Sequence, residues 1–437
     1  MTEGVATCDE ATEEPAPEVP EVPERRRARP FVVFLRRGGK VVISLVSITV
    51  LAMTWYGWHF VGDPNEGLTT TQVFEPEEPH AVPLDGAVDI LLVGMDSRTD
   101  NQGNPLPREV LDALHAGDDD GERNTDTMIL VHIPQNGRHA VAISFPRDSW
   151  VDVGQDYGKH KLNSAFAYAY NDKAEELQRH GVTDPKEIDK EAKMAGRKNL
   201  ISTLERLIGR PHMIDRYAEV NLASFDEITK AIGGVEVCLN HAVKEKKSGI
   251  DLPGGRQTIE GVQALAFVRQ RYDLPNYDLD RIARQQAFLS GLARKVLSKD
   301  MLLNPGRISD VIAAVKKSVV LSDNWDVVQF AAQMRGLDSG NVEFHTIPIE
   351  GPATIGGADV LKVDPAAVHD FVDGQIADAP AATSTPASTT PARPSSSAPK
   401  AQPNGAARRS NPVVSTTAVP PSSTPQPITG GEVPCVN

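Results

Sequence analysis

The chain has 437 residues, enough for one large domain or two ordinary ones with tails. Its formal net charge of −14 at pH 7 argues against nucleic-acid binding, which needs a broad basic footprint. A basic cluster inside so acidic a chain points instead to a local site for a small polyanion.

Residues 1–24 are rich in Glu and Pro and predict a disordered segment. Arg25, Arg26, Arg27, Arg29, Arg36, Arg37 and Lys40 follow, closing an expected cytoplasmic segment of 1–40. Val41 to Val61 then runs for 21 residues without Lys, Arg, Asp or Glu, long enough for a transmembrane helix. Trp55, Tyr56 and Trp58 fall where an interfacial aromatic belt would sit. A cleaved signal peptide is the competing reading, but the long polar leader and the lack of an A-x-A site speak against it. Positive charge before the span places everything beyond it outside the cytoplasm: a single-pass protein of the cell membrane. On that topology Cys8 lies on the reducing side and Cys238 and Cys435 on the oxidising side, which predicts a Cys238–Cys435 disulfide rather than two free thiols.

After a polar linker (62–85), Val88 to Val93 is a near-continuous apolar run, as expected of a strand buried on both faces. It ends in Gly94-Met95-Asp96-Ser97-Arg98, and ligands in open α/β sheets gather at such carboxyl ends. A polar insertion follows (99–123), with a short helical piece around Arg108 to His115 and an Asp118-Asp119-Asp120 run read as a solvated loop. Asn124-Thr125-Asp126-Thr127 leads into a second strand, Met128 to Ile133. Asp126 there is either a turn carboxylate or a partner of Asp96. Two carboxylates from neighbouring strand ends, completed by waters and phosphate oxygens, suit Mg²⁺ (or Mn²⁺).

A third strand, Ala140 to Phe145, ends in Pro146-Arg147-Asp148, where an arginine fixed beside proline suits a phosphate clamp. Lys161-Leu162-Asn163-Ser164 opens a helix, and helix N-termini favour anions. Helices are expected at 187–208, 225–232, 311–320 and 325–334, and strands at 217–222, 235–239 and, as the last, 342–349. From about Ala377 the chain is Pro-, Ser-, Thr- and Ala-rich and predicts a flexible tail, whose end at 430–437 carries Cys435 and is able to dock back. The order lacks a strict βαβ rhythm and indicates an α/β fold with a mixed central sheet covered by helices.

The stretch from Ala266 to Gln286, AFVRQRYDLPNYDLDRIARQQ, carries the densest chemistry. Read as a strand, it puts Phe267, Arg269 and Arg271 on one face, the two arginines about 7 Å apart. Asp278 would cap a following helix on which Arg281, Arg284 and Gln285 crowd one side and Ile282, Leu289, Leu292 and Val296 the other. Planar guanidinium forks from two adjacent elements suit phosphate oxygens; a solvated basic strand paired with acids is the alternative. No Ser-His-Asp order, cysteine nucleophile or zinc-type cluster appears, and His132, His139 and His160 stand singly.

GMDSR (94–98), TDTMILVHI (125–133), SFPRDSWV (144–151), KLNSAFAY (161–168), GGVEV (233–237) and QALAFVRQRYDLPNYDLDRIARQQ (263–286) together resemble the LytR–CpsA–Psr family of cell-wall glycopolymer ligases. The resemblance covers roughly 86–350, followed by an extension at 351–376 and the tail at 377–437. It implies an α/β/α domain that binds a polyprenyl-pyrophosphate-linked glycan and transfers it to the peptidoglycan muramic-acid 6-hydroxyl, releasing polyprenyl phosphate. The carry-over makes Asp96, Asp126, Arg147, Arg269 and Arg271 catalytic. Arg98, Asp148, Lys161, Asn163, Asp278, Arg281, Arg284 and Gln285 would bind substrate, and Asp96 and Asp126 the metal. Phe145 and Tyr277 depart from the common pattern. The 99–123 insertion and the PCVN ending look like actinobacterial members, which often attach arabinogalactan; the motifs leave the polymer open. Water in place of the sugar hydroxyl would make a hydrolase, and the same pocket without turnover an adaptor.

Overall fold

The computed structural model describes residues 66–74, 86–100, 104–117, 123–154, 156–276, 278–302, 304–323, 325–326, 330, 337, 339–377 and 427–437. The expected transmembrane helix at 41–61, most of the linker and most of the helix expected at 325–334 lie outside these residues. No helix among the described residues is long and apolar enough to cross a membrane.

The largest sheet has eight strands: β1 (Thr69–Thr71), β2 (Val88–Met95), β3 (Thr125–Ile133), β4 (Ala140–Ser144), β5 (Arg216–Val220), β6 (Val319–Ser322), β7 (Val342–Thr346) and β8 (Ile428–Thr429). Their spatial order is β1-β6-β5-β2-β3-β4-β7-β8. The sheet is mixed: β2 runs parallel to β5 and antiparallel to β3, and β4 runs parallel to β7. Alternation along the strands builds two cores. Leu91, Val93, Met128, Leu130, Val141 and Ile143 face one side, where α1 (Ala165–Arg179) and α2 (Pro185–Ile208) cover them. Ile90, Ile129, Ala140 and Ala142 face the other. That second face is covered by α3 (Leu222–Ala231), α4 (Gly261–Arg269) and α5 (Asp278–Val296).

Local chemistry fixes the helix ends. Asp184 caps α2 by accepting from the Lys186 N–H at 3.0 Å, Pro185 opens it, and Gly209 ends it at φ 77°. Leu200, Leu204 and Leu207 are buried on its apolar side, as the spacing requires. Asn221 caps α3 through the Ser224 N–H at 2.8 Å.

Three elements differ from the sequence reading. Residues 261–269 form helix α4, so Phe267, Arg269 and Arg271 do not share a strand face. The run is short and apolar, and periodicity alone does not separate strand from buried helix there. Burial on two sides decides it: Phe267 packs with Phe288 while Leu265 and Val268 turn toward a cavity. The helix expected at 311–320 spans Pro305–Ser318, and Val319–Ser322 is strand β6. Strand β7 is not the last. Gly351–Ile355 and Ala358–Lys362 pair antiparallel, helix Pro365–Ala377 follows, and the tail end adds β8 and Cys435–Val436.

The tail end is fastened. Cys435 and Val436 pair in parallel with Cys238 and Leu239, and Cys238 and Cys435 form a disulfide, their Cα atoms 4.3 Å apart.

Candidate active site

The site begins where β2 ends. Leu92 and Gly94 point from β2 toward α3–α5, Ile129 and Thr127 do so from β3, and Ala218 and Val220 from β5. With Leu222, Phe225 and Ile228 of α3, Leu265 and Val268 of α4, and Phe288, Leu289 and Leu292 of α5, they enclose a cavity of about 250 Å³. Its wall is almost entirely hydrocarbon except at one end, where Asp96, Asp126, Arg269, Arg281 and Gln285 line it. On α5 this polarity is written along one stripe: Arg281 and Gln285 in the first two turns, then Phe288, Leu289 and Leu292. Leu289 and Leu292 therefore share a face with Arg281 and Gln285 instead of opposing them, because steps of three and four residues keep to one side of a helix.

Around the polar end, six cations meet four carboxylates. Arg147 Nη1 donates to Asp126 Oδ1, and Arg281 donates through Nη2 to the Asp126 carbonyl at 3.2 Å. Arg281 also meets Asp278 at 2.8 Å, and Lys161 meets Asp148 at 2.8 Å. The remaining approaches are longer. Arg269 to Asp96 is 3.9 Å, Arg271 to Asp148 is 3.6 Å, and Arg271 to Asp278 is 3.8 Å. Charge-assisted hydrogen bonds close to about 2.7–2.9 Å, so neither arginine is locked onto a carboxylate, although Arg269 is steadied by donating through Nη1 to the Leu114 carbonyl at 3.2 Å. A cluster with excess positive charge and such donors attracts an anion with several oxygens.

The two cavity carboxylates are tuned apart. Burial and the neighbouring Asp126 charge raise the Asp96 pKa against the pull of Arg98 and Arg269. Burial would raise Asp126 as well, but Arg147 and Arg281 outweigh it and hold Asp126 below the usual carboxylate range. Burial also lowers Arg281, and Asp278 and Asp126 oppose that shift. Asp96 Oδ1 is buried without a hydrogen-bond partner. An unpartnered buried carboxylate oxygen beside a second carboxylate fits a divalent cation that takes its other ligands from water and phosphate. No group of three or more His, Cys, Asp or Glu among the described residues is placed to hold a metal by itself.

Not every residue expected at the site faces it. Arg98 is buried and gives Nε and Nη2 to the Ala116 carbonyl at 3.2 and 3.1 Å, tying the 99–123 insertion to Asp96, which it meets at 3.5 Å. Asn163 is buried in a 3₁₀ turn, and its backbone N–H donates to the Arg147 carbonyl at 3.0 Å, setting the exit of that arginine. Gln285 donates to the Val268 carbonyl at 3.3 Å and lines the cavity. Arg284, expected beside Arg281, instead points to the other side of α5, toward Gln270 and Asn437. One residue before Gln285 and five before Leu289, it is rotated about 100° and about 140° from them, enough to leave the cavity stripe. The apolar wall from α3 was not singled out in the sequence; its only signal is that Leu222, Phe225 and Ile228 recur at helical spacing.

Residues 65–375 match the LytR_cpsA_psr family. The chain belongs to this family. It is 42% identical over 346 residues to the cell wall biosynthesis protein LcpA of Corynebacterium glutamicum, covering 77% of this chain and 65% of that relative. The LytR_cpsA_psr chain thus spans less than two thirds of that relative's length. It is 23% identical over 289 residues to the polyisoprenyl-teichoic acid–peptidoglycan teichoic acid transferase TagU of Enterococcus faecalis, covering 65% of this chain and 79% of TagU. A crystal structure of a Streptococcus agalactiae protein superposes with a TM-score of 0.50 at 19% identity, covering 69% of this chain and 90% of that one. At that identity the match speaks for the mixed α/β fold alone.

Proposed function

We propose that this LytR_cpsA_psr protein is a membrane-anchored phosphotransferase that moves a glycopolymer from a polyprenyl-pyrophosphate carrier to peptidoglycan. One observation carries the reading: a hydrocarbon-walled cavity ends on a cluster of arginines. A long apolar chain with a polyanionic head matches that gradient, burying methylenes at about 0.8 kcal/mol each while the head meets guanidinium groups. The family membership and the similarity to a teichoic acid transferase support transfer as the reaction. The acceptor is the muramic-acid 6-hydroxyl. The polymer is arabinogalactan, an assignment supported by the actinobacterial character of the insertion and of the PCVN ending.

In the reaction the acceptor oxygen forms a bond to the glycan-linked phosphorus, the bond to the bridging oxygen breaks, and polyprenyl phosphate leaves. The acceptor proton passes to a carboxylate of the cluster. Charge grows on the phosphoryl oxygens, so catalysis is positioning plus electrostatic stabilisation. Arg269 and Arg271 are not locked onto a carboxylate and keep donors for the phosphate oxygens, and Arg147 and Arg281 anchor the carboxylates around them. Asp96 and Asp126 would hold Mg²⁺ (or Mn²⁺), which supplies further neutralisation of phosphate charge. The apolar segment at 41–61 anchors the chain, with the N-terminus cytoplasmic and the domain outside.

The test mixes the full chain in detergent with a lipid-pyrophosphate oligosaccharide, Mg²⁺ and peptidoglycan fragments, comparing arabinogalactan with teichoic-acid precursors. Polyprenyl phosphate release together with a mass gain on the acceptor supports the ligase. Release without acceptor gain makes the protein a hydrolase, and binding with neither makes it an adaptor. Chelation is expected to stop transfer and added Mg²⁺ or Mn²⁺ to restore it; full activity under chelation would remove the metal from the account.

A further inference from the structure

Helix α5 carries a second stripe, turned away from the cavity: Arg284, Ala287, Ser290, Gly291 and Arg294. The tail end lies along it. Ser290 Oγ donates to the carbonyls of Thr429 and Glu432 at 3.2 and 3.3 Å, and Arg294 donates to the Glu432 carbonyl. Val436 joins the apolar cluster of Phe267 and Phe288, and the Asn240 N–H donates to its carbonyl at 2.9 Å. Gly291 has no room for a side chain, since a Cβ there would sit 2.4 Å from the Glu236 carbonyl. The helix is therefore seated directly on the strand that carries Cys238.

Arg284 joins this docked segment to the arginine loop. Its side chain is wholly buried and lies over the Phe267 ring at 5.2 Å. Nε donates to the Asn437 carbonyl and Nη1 to Gln270 Oε1 at 2.7 Å. Gln270, also buried, uses its Nε2 to donate to the Tyr272 carbonyl at 2.8 Å. The Gln270 amide is thus pinned at both ends between Arg269 and Arg271. The loop needs this support, because Asp273 sits at φ 63°, a conformation that persists in a non-glycine residue only where its surroundings over-determine it.

We propose that Arg284 is a positioning residue through which segment 427–437, fastened by the Cys238–Cys435 disulfide, fixes Arg269 and Arg271 in the geometry that grips a pyrophosphate. The inference rests on the pyrophosphate reading given above and adds the part of the chain that sets its precision. Release of the tail removes one acceptor from Arg284, frees the Gln270 amide to turn, and lets the two arginines drift from a shared anion. Displacements of about 1 Å at such a site cost up to about a hundredfold in rate.

The test is a double-mutant cycle on the full chain in detergent, with Arg284→Met, Cys435→Ser and the pair. Farnesyl pyrophosphate binding is measured by calorimetry, and backbone hydrogen exchange is followed at residues 269–276. Each single change is expected to weaken binding by about tenfold to a hundredfold and to speed exchange in that loop, while cooperative melting is retained. The pair should be no worse than the weaker-binding single, because both act through one contact. Wild-type affinity in both singles, or losses that simply add, would overturn the proposal. Where Arg284→Met does not fold, Arg284→Lys replaces it in the cycle. Failure of the wild type to bind farnesyl pyrophosphate sinks the pyrophosphate reading instead. The clamp is then judged by exchange alone: faster exchange in both singles upholds it, and unchanged exchange refutes it.

Discussion

At the scale of the residue, the arginines divide by burial. Arg269 and Arg271 approach their carboxylates at 3.6–3.9 Å and keep donors for a ligand. Arg269→Ala and Arg271→Ala are each expected to lower transfer by about 3 kcal/mol, the cost of losing one donor to a developing phosphoryl charge. Melting should stay near wild type, and steady-state kinetics beside a thermal melt checks both halves. Arg281 behaves differently, since 2% of its side chain is exposed and it stands between Asp278 and Asp126. Its removal leaves buried carboxylates without their counter-charge, so Arg281→Ala should cost about 3–5 kcal/mol of folding stability, visible in a denaturant titration. Asp96, Asp126, Arg147 and Arg269 were legible in the sequence because each stands at the end of a strongly apolar run or beside a proline. The role of Arg284 was not legible. Its spacing from Arg281 fits a shared helix side equally well, and only the docked tail 153 residues away shows which way it turns.

At the scale of the element, α5 works on two sides at once. Its cavity stripe predicts that Leu292→Trp, which fills the apolar end, weakens binding of a long-chain polyprenyl pyrophosphate while leaving that of a short-chain one close to wild type; equal losses for both would place the chain elsewhere. Its other side predicts that Gly291→Ala destabilises by about 1–3 kcal/mol, since the new methyl meets backbone and neither element yields easily. Strands β2, β3 and β4 were readable because each buries both faces and so reads as an unbroken apolar run. Helix α4 was not, because a short apolar run such as Ala264 to Val268 fits a buried strand as well as a buried helix, and its burial on two sides arises only from packing. The strand β6 was hidden in the same way behind the helix that leads into it.

At the scale of the whole molecule, buried contacts between elements hold the site's scaffold. Arg197 of α2 grips Glu219 of β5 with two bonds of 2.8 Å, and Tyr217 donates to the same carboxylate at 2.6 Å. Burial would raise Glu219, but Arg197 and Tyr217 prevail and hold it below its ordinary 4.5. A depressed carboxylate stabilises the fold at pH above its unfolded value, and that contribution is lost as pH falls through the lower folded value. Wild-type stability should therefore drop in the acid range below 4.5, with a shallower slope in Glu219→Gln, as pH-dependent melting would show. The Cys238–Cys435 link closes 197 residues, for which chain entropy gives a stabilisation of up to about 5 kcal/mol. Cysteine count and topology pointed to that pairing, but the sequence carried no sign that the segment around Cys435 forms strands on two different sheets.

The most direct measurement is a crystal structure of the protein with a long-chain polyprenyl pyrophosphate. The account predicts the pyrophosphate between Arg269, Arg271 and Arg281, with the hydrocarbon chain running past Leu222, Phe225 and Leu292. A lipid bound elsewhere, or a pyrophosphate held away from these arginines with the cavity still empty, would contradict it.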